Sequence, residues 1–298
     1  MGSALYTLDC LIGTIFGVIE CCEIVTLRGT IEYILVIVKF ICSKFGLDIE
    51  KEFPEQLLDM RFGLESLCFR WALDLLRITV KTVHPERADL KERTVYMITH
   101  ASFLDMMISR AYGRKNMYYI GKHELGKIPF LGISLISTGH VLIDRKNLKD
   151  AIAGLDHAGE RVKHENKSIV IAPEGTRRRA PSRDDGEHLL PFKKGGFHIA
   201  KKAEAEIMPI TFQGLHRLTK GFLARPGTVR MTFGERISAK EVERLTVDEM
   251  MVKVRRDMIN QMEPMPNSEI FKTEKSRLPW LVFIAVHVGL YMLIRWLF

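Results

Sequence analysis

Cysteine is scarce and confined to one end. Cys10, Cys21, Cys22, Cys42 and Cys68 are the only five, all in the first quarter of 298 residues. Their odd number and irregular spacing fit neither a disulfide framework nor a zinc ligand set, which points to a reducing compartment. Only Cys68 comes near the body of the chain, so a cysteine nucleophile is not expected. There is no G-x-S-x-G elbow, which argues against a serine esterase. Zinc-finger spacing and an RRM-like aromatic motif are also missing, so nucleic acid is not an expected partner. The start, Met1-Gly2-Ser3-Ala4-Leu5-Tyr6, lacks the Ser or Thr that N-myristoylation requires at position 6. It also lacks a basic stretch before the first apolar run, which a cleaved signal peptide would show. No internal repeat is present.

What remains is apolar and basic. Hydrophobic residues make up 47% and charged residues 27%, with a net charge of +8. A packed core and a solvated surface are both affordable, and an anionic partner is expected. The basic residues flank very apolar ends, which favours membrane phospholipid. From Leu278 to Ile294 only His287 is ionisable. At about 1.5 Å per residue this run is just long enough for a hydrocarbon core of roughly 30 Å. Lys272, Lys275 and Arg277 precede it and Trp280 sits at its start, so the expectation is a C-terminal transmembrane or tail helix, with the catalytic domain on the cytoplasmic side. The alternative is a helix in the interface or packed on the domain. Residues 1–45 are apolar but broken by Asp9, Glu20, Glu23, Arg28, Glu32 and Lys39. Two interfacial helices fit this better than two spans. The implied organisation is interfacial helices over 1–45, an α/β domain over 46–265, and a basic linker with membrane helix over 266–298.

The middle of the chain alternates. A helix is expected around Pro54–Lys81, then a strand at Thr94–Thr99, a helix at Phe103–Arg110, and strands at Met117–Ile120 and Val141–Ile143. A helix follows at Leu148–Lys163, a strand at Ser168–Ala172, a helix over Phe192–Ala203, strands at Ile207–Phe212 and Val229–Phe233, and one long helix over Ser238–Met262. The polar loop Arg178–His188 is expected to be exposed. This order predicts an α/β fold, a mixed sheet flanked by helices.

Two motifs carry chemistry. His100-Ala101-Ser102-Phe103-Leu104-Asp105 follows the strand at Thr94–Thr99. On one helix, residues five apart point about 140° apart. His100 and Asp105 therefore meet only if His100 lies in the turn and Asp105 in the first helical turn. Asp105 then fixes the ring tautomer and the other nitrogen of His100 accepts a proton. The plainer reading makes Ser102-x-x-Asp105 a capping box with Ser102 as N-cap. The second motif, Ala172-Pro173-Glu174-Gly175-Thr176-Arg177, runs from a buried strand into a glycine turn with arginines. There Arg177 can fork onto a phosphate and Thr176 offers a hydroxyl. The plainer reading is a β-turn with solvated arginines. Tyr119-Ile120-Gly121-Lys122-His123-Glu124-Leu125 and Gly139-His140-Val141-Leu142-Ile143-Asp144-Arg145 each place a base just after a strand. In α/β folds such strand ends share one crevice, so Lys122, Arg145 and Arg177 can converge on one anion, while Asp144 can pair with a neighbouring base.

Taken in order, HASFLD, YIGKHEL, GHVLIDR, APEGTR, LLPFKKGGF and IMPI resemble the glycerolipid acyltransferase family, most narrowly the 1-acylglycerol-3-phosphate acyltransferases, over Val95–Phe212. The resemblance implies an O-acyltransferase. It would move a fatty acyl group from acyl-CoA or acyl carrier protein to the sn-2 hydroxyl of 1-acylglycerol-3-phosphate, giving phosphatidate without a metal or cofactor. It implies His100 as general base and Asp105 as the carboxylate that orients it. It assigns the glycerol phosphate to Gly139 and Arg145, the acyl acceptor to Glu174, Gly175, Thr176 and Arg177, and the acyl-donor region to Pro209. Lys122 matches a recurrent lysine placed on the phosphate or the oxyanion. The chain departs from the pattern at Thr99, where Asn is common, at Leu142, where Phe is common, and in a longer Arg178–His188 loop. Neighbouring branches act on glycerol-3-phosphate or other lysophospholipids. A hydrolase that activates water through His100 and Asp105, a catalytically silent lipid-binding membrane protein, and a metal site on His100, Asp105 and Glu174 are the competing readings.

Overall fold

The computed structural model describes residues 66–297 except 68, 89–92, 114–116, 128–134, 136–139, 145–146, 166, 178–188 and 221–222, and only Ile15 before them. The expected interfacial helices over 1–45 and the Arg178–His188 loop lie outside the described residues.

A seven-stranded mixed sheet forms the centre. Its strands are β1 (Ile78–Val83), β2 (Thr94–Ile98), β3 (Met117–Lys122), β4 (Val141–Ile143), β5 (Ser168–Ile171), β6 (Glu206–Gln213) and β7 (Gly227–Phe233). Their order across the sheet is β1-β7-β6-β2-β5-β3-β4. From β6 to β4 all neighbours are parallel. β7 runs antiparallel to β6, and β1 runs parallel to β7. Helices α1 (Leu104–Tyr112), α2 (Leu148–Glu165), α3 (Gly195–Ala203), α4 (Ala239–Arg244), α5 (Val247–Gln261) and α6 (Leu278–Leu297) complete the layers. The mixed sheet flanked by helices is the architecture the alternation predicts.

Burial on both faces explains the unbroken apolar strands. Along β2, Tyr96 and Ile98 pack with Leu104 and Ile108 of α1 on one face. Val95 and Met97 pack with Phe197 and Ala200 of α3 and Val254 of α5 on the other. A parallel sheet covered on both sides shows such runs instead of clean alternation.

Four expectations need correction. The helix over Pro54–Lys81 stops early: among the described residues it ends at residue 75, and β1 begins at Ile78. Arg77 takes a left-handed conformation (φ 54) that breaks the helix, and the β-branched run Ile78-Thr79-Val80 then favours extended chain. The long helix over Ser238–Met262 is two helices, α4 and α5. Thr246 caps α5 in a box with Glu249, the T-x-x-E signature that the longer assignment overlooked. The C-terminal segment is the helix α6, yet among the described residues no helix is long and apolar enough to cross a membrane. Trp280 and Phe283 of α6 are buried against Leu75 of the domain. The stretch of α6 beyond His287 is too short, at about 1.5 Å per residue, to reach across a hydrocarbon core alone. The helix expected from Phe192 starts at Gly195.

α2 is held to β3 by one acidic side chain. The Tyr118 hydroxyl donates to Glu165 (2.8 Å), as does Arg161 Nε (2.7 Å). Burial works against the Glu165 carboxylate, but the hydrogen bonds from Arg161, Tyr118 and Lys167 outweigh it and hold its pKa at about 2.

Candidate active site at the strand ends

β2 releases the chain at one edge of the sheet. The Thr99 amide still donates to the Ile210 carbonyl (3.1 Å), and the Thr99 hydroxyl accepts from the Phe212 amide (2.9 Å). Thr99, where the family pattern commonly has Asn, thus fastens the turn to β6. His100 follows at the rim, its side chain 24% exposed, while Asp105 in the first turn of α1 is fully buried.

The two meet as the turn-then-helix argument requires. Asp105 Oδ2 lies 2.7 Å from His100 Nδ1. The same carboxylate accepts from the Ala101 amide (2.8 Å) and the Ser102 amide (3.0 Å to Oδ2, 3.2 Å to Oδ1). An ionised carboxylate accepts only, so Nδ1 is the ring donor. That leaves Nε2 with its lone pair outward, the tautomer a general base needs. The capping-box reading is half right. Asp105 does accept from the Ser102 amide, but the Ser102 hydroxyl accepts from the Leu104 amide (3.0 Å), and the residue at the N-cap is Phe103. One carboxylate therefore starts the helix and orients the imidazole.

Glu174, at the neighbouring end of β5, is 2% exposed. Its Oε1 accepts from the His100 amide and its Oε2 from the Leu190 amide, both at 3.0 Å. The carboxylate assigned to the acceptor thus braces two pieces of backbone. Alanine at 174 would strand two part-buried N–H groups, at a cost of about 2–4 kcal/mol of stability. Glutamine keeps one acceptor and is expected to lose less. Urea denaturation of Glu174→Ala beside Glu174→Gln reads this order directly.

The ends of β3 and β5 lie at the same end of the parallel part of the sheet as β2. Gly175 adopts φ 71, and a Cβ there would lie 2.7 Å from Lys193 Cδ. A side chain at 175 would thus be strained in conformation and crowded as well. Thr176 and Arg177 stand exposed beyond the turn, and Lys122 stands exposed at the end of β3. Gly139 and Arg145 lie outside the described residues; Asp144, just after β4, is half-buried. Pro209 is not at the rim. It lies buried inside β6 opposite Met97, three residues before His100 on the neighbouring strand, or roughly 10 Å along it. β7 pairs with β6 only as far as Ile210, so a residue lacking an N–H fits at this position.

Lys193, within LLPFKKGGF, has no role assigned by the sequence motifs, yet it belongs to this site. Its amide donates to the Pro173 carbonyl (2.8 Å), and its side chain lies over Gly175. The signal was the pair of lysines before two glycines at the start of α3. Beside this turn opens a cavity of about 570 Å³, floored by Ile120, Ile143, Leu155, Ile171 and Ile199 and rimmed by Lys193 and Lys194. An apolar floor with a few polar groups at its mouth is the usual form of a small-molecule site.

Every site residue named from sequence falls within residues 77–213, the stretch matched by the family model described as Acyltransferase. A Schizosaccharomyces pombe protein described as an uncharacterized acyltransferase is 31% identical over 204 residues, 68% of this chain and 69% of that protein. The chain belongs to the acyltransferase family. A 1-acyl-sn-glycerol-3-phosphate acyltransferase of Helicobacter pylori is 40% identical over 114 residues, 38% of this chain. The chain spans about half the length of that relative (46%). Among solved structures, the 1-acyl-sn-glycerophosphate (LPA) acyltransferase PlsC from Thermotoga maritima superposes with a TM-score of 0.68 at 19% identity, covering 86% of this acyltransferase-family chain and 96% of its own. That likeness shows a shared fold.

Proposed function

We propose that the chain transfers a fatty acyl group from a thioester, acyl-CoA or acyl carrier protein, to the sn-2 hydroxyl of 1-acylglycerol-3-phosphate, giving phosphatidate. The observation that carries this is the 2.7 Å contact from His100 Nδ1 to a buried, fully committed Asp105. In this reading the acceptor hydroxyl lies against Nε2 of His100. The imidazole takes its proton as the oxygen attacks the thioester carbonyl, and Asp105 stabilises the imidazolium. The thiolate leaves as the tetrahedral oxyanion collapses, and cations at the rim favour that oxyanion. Lys122, Arg145, Arg177 and Lys193 are assigned to the acceptor phosphate in this reading. Membrane phospholipid is the surface from which a lysophospholipid reaches this edge, with the domain on the cytoplasmic side.

The apolar cavity beside Gly175 is assigned to a fatty acyl chain. Enlarging Ile152, which lines it, is expected to shift preference toward shorter chains. Ile152→Trp should lower the ratio of long-chain to medium-chain kcat/KM at least about tenfold, the range a few methylenes command in such a pocket. Equal ratios for wild type and variant would move the acyl chain elsewhere.

The test of function is acyl transfer by the purified full chain with labelled oleoyl-CoA. Lysophosphatidate, glycerol-3-phosphate and lysophosphatidylcholine are supplied in parallel. Label in phosphatidate supports the reading, and label from another acceptor moves the chain to a neighbouring branch. Absence of transfer from both acyl-CoA and acyl carrier protein would refute it.

A further inference from the structure

The first half of α6 is two-sided. Trp280 and Phe283 are 7% and 5% exposed, and Trp280 Nε1 donates to the Leu75 carbonyl (2.7 Å). The guanidinium groups of Arg77 and Arg277 each lie 5.9 Å from the Trp280 ring centroid. The approach to the helix is also tied down: the Thr273 hydroxyl donates to the Arg77 carbonyl (2.7 Å), and Lys275 pairs with Asp74 (2.7 Å). The opposite side faces solvent, and its described residues are apolar. Leu278, Leu281, Ile284, Val286, Val288 and Met292 are between 45% and 65% exposed. A rigidly rooted helix with one uncharged face open to water marks an interaction surface.

Topology places the root of that helix at the same end of the sheet as the catalytic rim. β1 runs parallel to β7 and so antiparallel to β6, which brings the start of β1 to the edge where β6 and β2 end. The Gly227 amide donates to the Arg77 carbonyl there (3.2 Å), and Gly214, just past β6, lies so close to Thr228 that a Cβ would sit 2.8 Å from its carbonyl oxygen. The root of α6 and His100 therefore stand toward the same end of the sheet, three strand spacings (roughly 14 Å) apart across it, with the start of β1 about four residues (roughly 13 Å) further out along the strands. Ala72, Leu73 and Leu76, just before β1, pack in one core cluster with α1, while Leu75 of the same turn carries α6.

We infer that the outward face of α6 lies in the surface of an anionic phospholipid bilayer and holds the His100 edge against it. Charge decides the occupant. Exposed Arg225, Lys272 and Arg277 stand around the root of α6, with Glu274 the exposed acid among them. A bilayer containing anionic headgroups complements both the apolar face and this basic root, whereas a second copy would bring the same positive charge. The inference deepens the proposed lipid chemistry by naming the surface from which the acceptor is taken, but the binding itself does not depend on which acceptor is used.

The experiment floats the full chain with phosphatidylcholine vesicles, with and without phosphatidylglycerol, and follows turnover separately on substrate dispersed in detergent. A triple variant, Leu281→Glu, Ile284→Glu and Val288→Glu, is expected to bind vesicles at least about tenfold less, with its thermal midpoint and detergent turnover unchanged. A second variant, Arg225→Glu with Lys272→Glu, leaves the helix intact and should reduce the preference for phosphatidylglycerol at least about fivefold. Unchanged partition of both variants overturns the inference. So does a concentration-dependent dimer of the wild type that the triple substitution dissolves, since that assigns the face to a second copy. Loss of detergent turnover in the wild type would instead count against the proposed reaction and leave the binding result standing.

Discussion

Alanine at position 100 is expected to lower kcat by about a hundred- to ten-thousand-fold, the contribution of a positioned general base. His100 is the residue at this rim whose ring is held by a buried carboxylate with its other nitrogen turned outward. Its side chain is 24% exposed and its own backbone, not its ring, is what Glu174 holds, so the fold should survive the change. The measurement is kcat for His100→Ala on lysophosphatidate beside its thermal midpoint. Near-normal turnover in a folded variant would remove the general base from the mechanism.

Asparagine at 105 should produce a drop of similar order for a different reason. The Ala101 and Ser102 amides both point at the carboxylate. Oδ2 meets the ring nitrogen and both amides, so an amide oxygen in its place keeps those bonds but lacks the charge, and its NH₂ in place of Oδ1 faces the Ser102 amide. The ring stays oriented, but the negative charge that stabilises the imidazolium is gone. We expect kcat for Asp105→Asn to fall at least about a hundredfold, with a stability loss of roughly 1–3 kcal/mol from the disturbed turn. Turnover and urea denaturation measured on one preparation separate the two effects. A variant that loses stability but keeps its turnover would reduce Asp105 to a helix-capping residue.

Most of this site was legible because parallel strands deliver their C-terminal ends to one edge. Once β2, β3 and β5 could be read from buried β-branched runs, the positions of His100, Lys122 and Arg177 followed. The role of Glu174 was not legible, since its partners lie 74 and 16 residues away and only folding brings their amides to it. Pro209 shows the limit from the other side. Motif order suggested a site residue, but register sets it inside the sheet opposite Met97. The strand β1 was missed because helix-forming residues run straight into it, and the break is a single left-handed residue, Arg77. The apolar C-terminal run read correctly as a helix. Its docking on the domain rests on Trp280 and its bond to a carbonyl 205 residues earlier in the chain, a contact that no local pattern carries.

The double grip of Glu174 also bears on how this scaffold can diversify. The Leu190 amide is fixed by Glu174, the Leu189 and Leu190 carbonyls by Arg255 (2.8 and 2.9 Å), and the Lys193 amide by the Pro173 carbonyl. The chain is thus clamped on re-entry, independently of how many residues separate Arg177 from Leu189. The entropy of closing a segment grows slowly with its length, by about 0.6 kcal/mol per doubling. That segment is therefore a place where insertions, deletions or whole grafted sequences can be sampled by evolution, or by a protein engineer, while His100 keeps its footing.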